Sequence, residues 1–240
     1  MTRKKTVIVT GASQGIGAAV VQAFLDRDYN VVATSRAISK AGLPPSSRLA
    51  LVDGNIGQPV TAETVARTAI DVFGSIDHVV NNAGIFASKG FTDYTADDFH
   101  TFVSTNLEGF IYITQRAVTQ ILKQGTGGSV TTITASTAEH PIAGSPGSIP
   151  MITKGGLNSV TLSLAAEYAK EHIRFNAVAP GIVDTPMHKD TPKELLRSFS
   201  PMGAIADSKD IADAVVYLTQ ATHVTGEVLY VDDGAHVGKW

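Results

Sequence analysis

Three closely spaced glycines near the start of the chain have the pattern of an anion-binding turn. The segment Thr10–Gly17 reads TGASQGIG; it follows an apolar run and precedes an amphipathic one. Gly11 allows a tight turn, Gly15 allows a phosphate to approach the backbone, and Gly17 allows close packing of a helix on a strand. The free N–H groups and the positive dipole end of that helix would face a diphosphate. The pattern therefore predicts a phosphate-binding turn.

The segments on either side of this turn have the patterns of a buried strand and a helix. Thr6–Thr10 is apolar on both faces rather than alternating, and Gly17–Asp28 has apolar residues three and four positions apart. The same alternation continues along the chain. We predict further strands at Asn30–Ser35, Arg48–Asp53, Ile76–Asn82, Ser129–Ser136, Ile173–Val178 and Gly226–Val231. We predict further helices at Ala62–Phe73, Thr95–Lys123, Met151–Glu171 and Ser208–Gln220.

Strands that alternate with helices predict a parallel sheet, because each crossover returns the chain to start the next strand in the same direction. Right-handed crossovers place helices on both faces of the sheet. We therefore predict a single doubly wound α/β domain over residues 1–240, with a seven-stranded parallel sheet of order 3-2-1-4-5-6-7. A bound dinucleotide would cross the carboxyl ends of the strands, between the first and the fourth. The proline-containing residues 184–206 are predicted to form a mobile excursion that covers the substrate.

Composition and charge exclude several other classes of function. The chain has 240 residues, no cysteine and a net charge of −3, so it has neither a disulfide framework nor a thiolate metal site, nor a basic footprint for nucleic acid. The histidines lack metal-binding spacing, and neither a P-loop nor a Gly-x-Ser-x-Gly motif is present. No apolar stretch approaches about 18 residues. We therefore predict a cytoplasmic protein with no metal and no nucleic-acid or membrane partner.

Motifs in a fixed order extend over essentially the whole chain. The glycine turn is spaced Gly-x-x-x-Gly-x-Gly and is preceded by Thr10. Asn81-Asn82-Ala83-Gly84 ends the fourth predicted strand, and Thr105-Asn106-Leu107 lies in a long predicted helix. Pro180-Gly181 and the segment 226–234 follow later. Together these motifs resemble the short-chain dehydrogenase/reductase family, and the resemblance implies a Rossmann-type oxidoreductase with a nicotinamide cofactor.

The residues that end the second and third predicted strands bear on which cofactor binds. An acid after the second strand would bind the ribose hydroxyls of NAD and repel a 2′-phosphate. Ser35 stands there instead, followed by Arg36, a fixed cation whose planar donors suit a phosphate. We therefore predict NADP(H) in preference to NAD(H). The resemblance adds Asp53, assisted by Gly54, as the contact to the adenine amino group, and Thr185 as the contact to the nicotinamide amide.

The resemblance also implies a catalytic set. In the family, a serine polarises the substrate carbonyl and a tyrosine transfers the proton, while a lysine four residues later holds the nicotinamide ribose and lowers the tyrosine pKa. Lys154 matches that lysine, and Asn106 matches the asparagine that supports a water relay. Ser136 matches the serine, although it stands about one residue farther from the tyrosine position than is usual. Thr137 has the commoner spacing and stays an alternative.

The tyrosine position departs from the family pattern. Four residues before Lys154 stands Pro150, and no tyrosine lies in 148–154. Proline cannot donate a proton, and its fixed φ suits the first turn of a helix. Hydride addition to a carbonyl creates an alkoxide that an acid must quench. Three sources of the proton stay open, namely His140, Lys154 acting through water and Asn106, and the substrate itself.

Two functions are consistent with these residues. The first is an NADP(H)-dependent oxidoreductase acting on a carbonyl or alcohol with an atypical proton donor, which Asn106, Ser136 and Lys154 favour. The second is a non-catalytic NADP(H)-binding sensor or assembly subunit, which Pro150 favours. The resemblance implies a homotetramer or a dimer formed through the two long helices. The predicted cofactor-binding residues are Gly11, Ser13, Gln14, Gly15, Ile16, Gly17, Ser35, Arg36, Asp53, Gly54, Asn82, Ala83, Gly84, Lys154, Pro180, Gly181, Val183 and Thr185.

Overall fold

A parallel sheet organises the structure, a computed structural model that describes residues 3–238. Its strands are β1 (Thr6–Thr10), β2 (Asn30–Ser35), β3 (Leu49–Asp53), β4 (His78–Asn81), β5 (Gly128–Ile133), β6 (Ile173–Pro180), β7 (Val183–Asp184), β8 (Ala206–Asp207) and β9 (Val228–Val231). Seven of them lie in the order β3-β2-β1-β4-β5-β6-β9, while β7 and β8 pair with each other. The doubly wound sheet and its order are confirmed, with β9 as the seventh strand. Residues 1–2 and 239–240 of the predicted domain lie outside the described residues.

Helices cover both faces of this sheet. They are α1 (Gly15–Asp26), α2 (Pro59–Phe73), α3 (Ala96–Phe102), α4 (Gly109–Gln124), α5 (Ser148–Glu167), α6 (Lys193–Arg197) and α7 (Ser208–Gln220). Within residues 3–238, none of the helices combines the length and the apolar character needed to cross a membrane.

The central strand β1 is buried along its whole length because both of its faces are covered. Val9 belongs to one core cluster together with Phe24 of α1 and Ile211 of α7. The next side chain back, Ile8, points to the other face and shares a second cluster with Ile113 of α4. An apolar run without alternation is therefore what this position in the sheet requires.

The predicted helix Thr95–Lys123 is wrong in one respect, because a π-helical turn at Val103–Glu108 separates α3 from α4. Asn106 lies in this turn. Its Oδ1 accepts a hydrogen bond from the backbone N–H of Ile85 at 2.9 Å, and its Nδ2 donates to the Ile85 carbonyl at 3.2 Å. These bonds tie the turn to the loop after β4. Single π-turns inside helices occur frequently at functional sites.

The predicted strand Ser129–Ser136 is too long at its carboxyl end. β5 ends at Ile133, and the last bond to β6 runs from the Thr134 N–H to the Val178 carbonyl at 2.8 Å. The chain then leaves the sheet, and Ser136 opens a short 3-10 turn. Ser136 therefore follows the strand rather than ending it.

The predicted helix Met151–Glu171 starts and ends earlier in the structure, at Ser148 and Glu167. Pro150 is the third residue of α5, where a backbone N–H has no partner within the helix in any case. A short 3-10 turn at Ala169–Glu171 follows the helix. The proline is thus compatible with the first helical turn, as its fixed φ predicts.

The predicted excursion over residues 184–206 has secondary structure of its own. Its two ends are joined by the β7–β8 ladder, in which Val183 pairs with Ala206 and Asp184 with Asp207. Between them lies α6, whose Leu196 is only 4% exposed. The segment is therefore anchored at both ends and buries Leu196, and its covering of the substrate stays a prediction.

Candidate active site

The glycine turn has a backbone that side chains would disrupt. Gly11 and Gly15 have φ values of +65° and +55°, in the left-handed region that favours glycine. A Cβ on Gly11 would lie 2.7 Å from the Ala83 Cα. A Cβ on Gly17 would clash with the Gly11 carbonyl oxygen and lie 2.6 Å from the Asn82 Nδ2. Glycine at these positions therefore lets the turn, which we call the cradle, pack closely against the loop after β4 at the start of α1.

The loop after β4 holds this turn in place. The Asn82 amide Nδ2 donates to the carbonyl oxygens of Thr10 and Gly11, each at 3.0 Å. In return, the Thr10 hydroxyl accepts from the backbone N–H groups of Asn82 and Ala83 at 3.1 and 3.0 Å. The bonds join the ends of β1 and β4, where the strand order reverses, and such switch points form ligand crevices.

This geometry gives a matched pair of variants at two helical glycines. A Cβ at Gly17 meets backbone atoms, whereas a Cβ at Gly156 in α5 meets nothing within 4 Å. We expect Gly17→Ala to lower the melting temperature by about 5 °C, because overpacking costs about 1–3 kcal/mol, and to weaken NADPH binding at least about tenfold. Gly156→Ala should raise stability by about 0.5–1 kcal/mol and leave binding unchanged. Calorimetry measures the melting temperature and the NADPH affinity of each variant. Equal effects of the two substitutions would contradict the close packing of the glycine turn.

A cleft of about 910 Å³ opens in front of the turn. Most of the predicted site residues line it, namely Gly11, Gln14, Gly15, Ile16, Gly17, Asn82, Ala83, Gly84, Ser136, Lys154, Pro180, Gly181, Val183 and Thr185. The other predicted residues lie outside its lining, namely Ser13, Ser35, Arg36, Asp53, Gly54 and Asn106.

The turn after β6 closes the cleft against the glycine turn. A Cβ built on Gly15 would lie 3.2 Å from the Thr185 Cγ2, so Thr185 sits directly over the cradle. The Gly181 N–H donates to the Val231 carbonyl at 3.0 Å. A Cβ on Gly181 would lie 2.8 Å from the Asp232 Cα. Gly181 therefore allows the turn after β6 to pack closely against Asp232.

Lys154 extends from α5 to the edge of the cleft beside Gly84. Its Nζ donates to the Ile133 carbonyl at 2.7 Å. A Cβ on Gly84 would lie 3.1 Å from that Nζ and 3.3 Å from the Asn106 Oδ1, so the ammonium and the amide flank the same glycine. Burial lowers the pKa of Lys154 to about 8. The ammonium can therefore release a proton near neutral pH.

A buried hydroxyl, which the sequence did not single out, links Asn106 to the residue in the tyrosine position. The Asn106 Nδ2 donates to the Thr153 Oγ1 at 2.9 Å, and that hydroxyl donates to the Pro150 carbonyl at 2.7 Å. Thr153 has no exposed surface. Pro150 is itself buried and does not line the cleft. Pro150 takes part through its backbone carbonyl, which accepts the hydrogen bond from Thr153. No local pattern in the sequence indicates the contact between Asn106 and Thr153.

The two candidate hydroxyls, those of Ser136 and Thr137, differ in their hydrogen bonding. Ser136 and Thr137 both line the cleft. The Thr137 Oγ1 donates to the Met151 sulfur at 3.3 Å, whereas the Ser136 hydroxyl makes no hydrogen bond to any residue between 3 and 238. Ser136 is therefore the hydroxyl that is free to meet a carbonyl oxygen.

The histidines are placed differently from the prediction. The His140 ring packs against Tyr230 and His236, with centroids 5.2 and 5.7 Å apart, and His140 does not line the cleft. His188, which the sequence analysis passed over, does line it. Burial lowers the pKa of His188. Within the described lining, Lys154 and His188 are the titratable side chains.

The ends of β2 and β3 form an open surface beside the cleft. The Asp53 carboxylate accepts hydrogen bonds from the Ser39 hydroxyl at 2.6 Å and the Ser39 N–H at 2.9 Å, and these bonds lower the Asp53 pKa. Ser35 is its register partner, and the Ser35 carbonyl accepts from the Gly54 N–H at 2.9 Å. Arg36 is exposed and forms no ion pair with any residue in 3–238.

Comparison with known proteins assigns this chain to a family. Residues 11–236 match the family model described as enoyl-(acyl carrier protein) reductase. A tropinone reductase homologue from Arabidopsis thaliana is 32% identical over 254 residues, covering 98% of this chain and 94% of the relative.

Two solved structures have nearly the same fold. The 3-ketoacyl-(acyl-carrier-protein) reductase from Brucella melitensis, complexed with NADH, has a TM-score of 0.91 and 26% identity, and covers 98% of this chain and 99% of its own. ElxO with NADP bound has a TM-score of 0.90 and 27% identity, and the match covers 98% of this chain and 100% of the ElxO chain. The chain belongs to the short-chain dehydrogenase/reductase family.

Proposed function

We propose that this protein is an NADP(H)-dependent oxidoreductase that acts on a carbonyl or alcohol group. One observation carries the proposal: the glycine turn and the Lys154 ammonium, flanked by Asn106, converge on the same cleft. A protein that only sensed a dinucleotide would need the turn but not a buried lysine with a lowered pKa. Consumption of NADPH in the presence of a ketone tests the activity, and binding without consumption would contradict it.

The residues of the turn fit a dinucleotide. Gly11, Gly15 and Gly17 all line the cleft, so the backbone of the turn faces open space there. Gln14, at the N-cap of α1, makes no side-chain capping bond, and the first turn contains no acid. The first N–H groups of α1 therefore keep their donors for an anion, which is what a diphosphate requires.

The residues around Lys154 supply what carbonyl reduction needs besides the hydride. When bound, a reduced nicotinamide supplies that hydride to the carbonyl carbon, and the carbonyl oxygen must gain a proton. We assign the proton to Lys154, passed through water, because its pKa of about 8 suits an acid at neutral pH. Ser136 donates a hydrogen bond to the carbonyl oxygen. Thr153 holds the amide of Asn106, which lies with the Lys154 ammonium beside Gly84.

The preference for NADP(H) rests on Arg36. The guanidinium is exposed at the end of β2 and is not committed to an acid within the described residues. Ser35 adds no negative charge, and the Asp53 carboxylate is held by Ser39. A 2′-phosphate would therefore meet a free planar cation, and such charge-assisted pairs are among the stronger hydrogen bonds.

Reversing the charge of Arg36 should reverse the cofactor preference. Arg36→Glu removes a charged hydrogen-bond partner worth about 1.5–3 kcal/mol, so we expect the Kd for NADPH to rise at least about tenfold while that for NADH stays within about twofold. Fluorescence titration with both nucleotides measures this. Arg67→Glu, on the exposed surface of α2, is the matched control. Tighter binding of NADH than of NADPH by the unmodified protein would end the proposal of NADP(H) preference.

We also propose that residues 184–206 cover the substrate and that copies of the chain assemble into a dimer or tetramer through α4 and α5. Ile111 and Leu122 on α4, and Ile152 and Leu162 on α5, expose at least 43% of their surface, which supports an interface there. A chain without cysteine suits the cytoplasm, where we place it. Light scattering on the purified protein measures the assembly.

Pro150 favours a second function, a non-catalytic NADP(H)-binding sensor or assembly subunit. A proline in the tyrosine position removes the phenol, and Pro150 is buried and does not line the cleft. The two functions predict the same NADPH affinity but differ in turnover. Retention of the Asn106–Thr153 contact beside Lys154 is why we place catalysis first.

A further inference from the structure

The cleft is lined by large apolar side chains that come from separate segments of the chain. We name them the apolar lining; they are Phe86, Ile142, Met151, Met187, Leu195 and Phe199. The first two lie in the loops after β4 and β5, the third lies in α5, and the last three belong to the 184–206 segment. The loops approach each other, since a Cβ on Gly147 would lie 3.3 Å from the Phe86 ring.

Several of these side chains face water although the fold does not require them to be apolar. Phe86 is 41% exposed, Leu195 is 50% exposed and Met187 is 57% exposed. None of the three belongs to either core cluster. Apolar surface gathered in a concave site is favourable to remove from water, which is how ligand pockets gain affinity. Packing within the fold therefore does not account for their apolar character.

Charged recognition groups are scarce in the same lining, although hydroxyl side chains are present. No aspartate, glutamate or arginine is among the described residues that line the cleft. Burial lowers the pKa of His188, which favours its uncharged form. The Asn82 amide donates its hydrogen bonds to the backbone of the glycine turn. The Lys154 ammonium donates to the Ile133 carbonyl and, under the proposed function, to the nicotinamide ribose. A substrate carboxylate would find no arginine, and a sugar would find no carboxylate for its hydroxyls.

We propose that the substrate is an uncharged, hydrophobic ketone, or the corresponding secondary alcohol, which packs against the apolar lining with its oxygen at Ser136. The carbonyl carbon gains a hydride and the oxygen gains a proton, so that the ketone becomes the alcohol as NADPH is oxidised to NADP⁺. This inference rests on the proposed function and narrows its substrate class.

Binding of three probes to the protein saturated with NADP⁺ tests the inference. The probes are 4-phenyl-2-butanone, its charged analogue 2-oxo-4-phenylbutyrate, in which a carboxylate replaces the terminal methyl group, and D-glucose. Calorimetry should give the neutral ketone an affinity at least about tenfold higher than that of the keto acid, because only the acid loses hydration without gaining a partner. Glucose should give no measurable heat.

Two variants and one control locate the binding. Met187→Asp and Leu195→Asp place a carboxylate in the apolar lining. Each should lower the affinity for the ketone at least about tenfold and leave the Kd for NADP⁺ unchanged. Val72→Asp, at a position on α2 that is 58% exposed, should change neither affinity.

The outcomes separate this inference from the proposed function. Intact NADP⁺ binding combined with equal or tighter binding of the keto acid or glucose would overturn the inference alone. The same holds if the ketone does not bind, or if both aspartate variants bind it as well as the parent. If the unmodified protein does not bind NADP⁺, the proposed function and the inference are both overturned.

Discussion

Lys154→Met lowers the rate of NADPH-dependent ketone reduction by about 10²–10⁴-fold, the usual cost of removing a general acid. The reason is geometric as well as electrostatic. The Lys154 Nζ lies beside Gly84 and the Asn106 amide at the edge of the cleft, and methionine keeps the length of the side chain but carries no proton. Steady-state kinetics measure the loss, and thermal melting followed by circular dichroism confirms that the variant is folded.

The pH dependence follows from the same group. Because burial lowers the pKa of Lys154 to about 8, the ammonium is the main form below that pH and the neutral amine above it. Reduction consumes a proton, so the rate should be constant below about pH 7 and fall as the pH rises through about 8. Lys123→Met, at an exposed position near the end of α4, should keep the parent rate and profile. A Lys154→Met variant with the parent profile would exclude Lys154 as the acid.

Pro150→Tyr raises the rate of reduction by about 10²–10⁴-fold, because it restores a hydroxyl acid at the position that the family uses. Pro150→Phe is the matched control, since it adds the same ring without the proton and should leave the rate near that of the parent. Both variants keep the Pro150 backbone carbonyl that accepts from Thr153. NADPH consumption under single-turnover conditions gives the three rates.

The outcomes of the Pro150 series decide between the two functions. We expect measurable turnover in the parent that depends on Lys154, with a further gain in the tyrosine variant alone. A parent that binds NADPH but shows no turnover, beside an active Pro150→Tyr variant, would identify a disabled reductase acting as a sensor or assembly subunit. Equal gains with tyrosine and phenylalanine would show that the ring, rather than its proton, changes the rate.

Local sequence patterns were sufficient for the sheet and the glycine turn. β1 is apolar on both faces because it lies between β2 and β4 with helices on either side, and that burial appears directly in the residues Val7–Val9. Gly11 and Gly15 adopt positive φ values that favour glycine, so the turn is visible in the glycine spacing itself. Features set by one or two neighbouring elements are therefore visible in the sequence.

Features that depend on distant contacts were not predictable. The π-turn at Val103–Glu108 lies within an otherwise helical pattern, and the hydrogen bonds between Asn106 and Ile85 that accompany it link separate elements. The bond from Asn106 to Thr153 joins this π-turn to α5 in the same way. Hydrophobic periodicity carries no information about such polar pairs.

The loop histidines show the same limit. Both His140 and His188 lie in loops near the carboxyl ends of strands, and composition does not distinguish them. The structure turns His140 towards Tyr230 and brings His188 into the cleft lining, because the β7–β8 ladder fixes the path of the 184–206 segment. The position of a loop side chain thus depends on pairing that no local pattern encodes.

A crystal structure of the protein with NADPH is the clearest single test of the site. We expect the diphosphate on the N–H groups of Gly15–Gly17, the 2′-phosphate beside Arg36 and the nicotinamide ribose beside Lys154. A dinucleotide bound elsewhere, or a cleft that stays empty at saturating NADPH, would contradict the assignment of this cleft as a cofactor site.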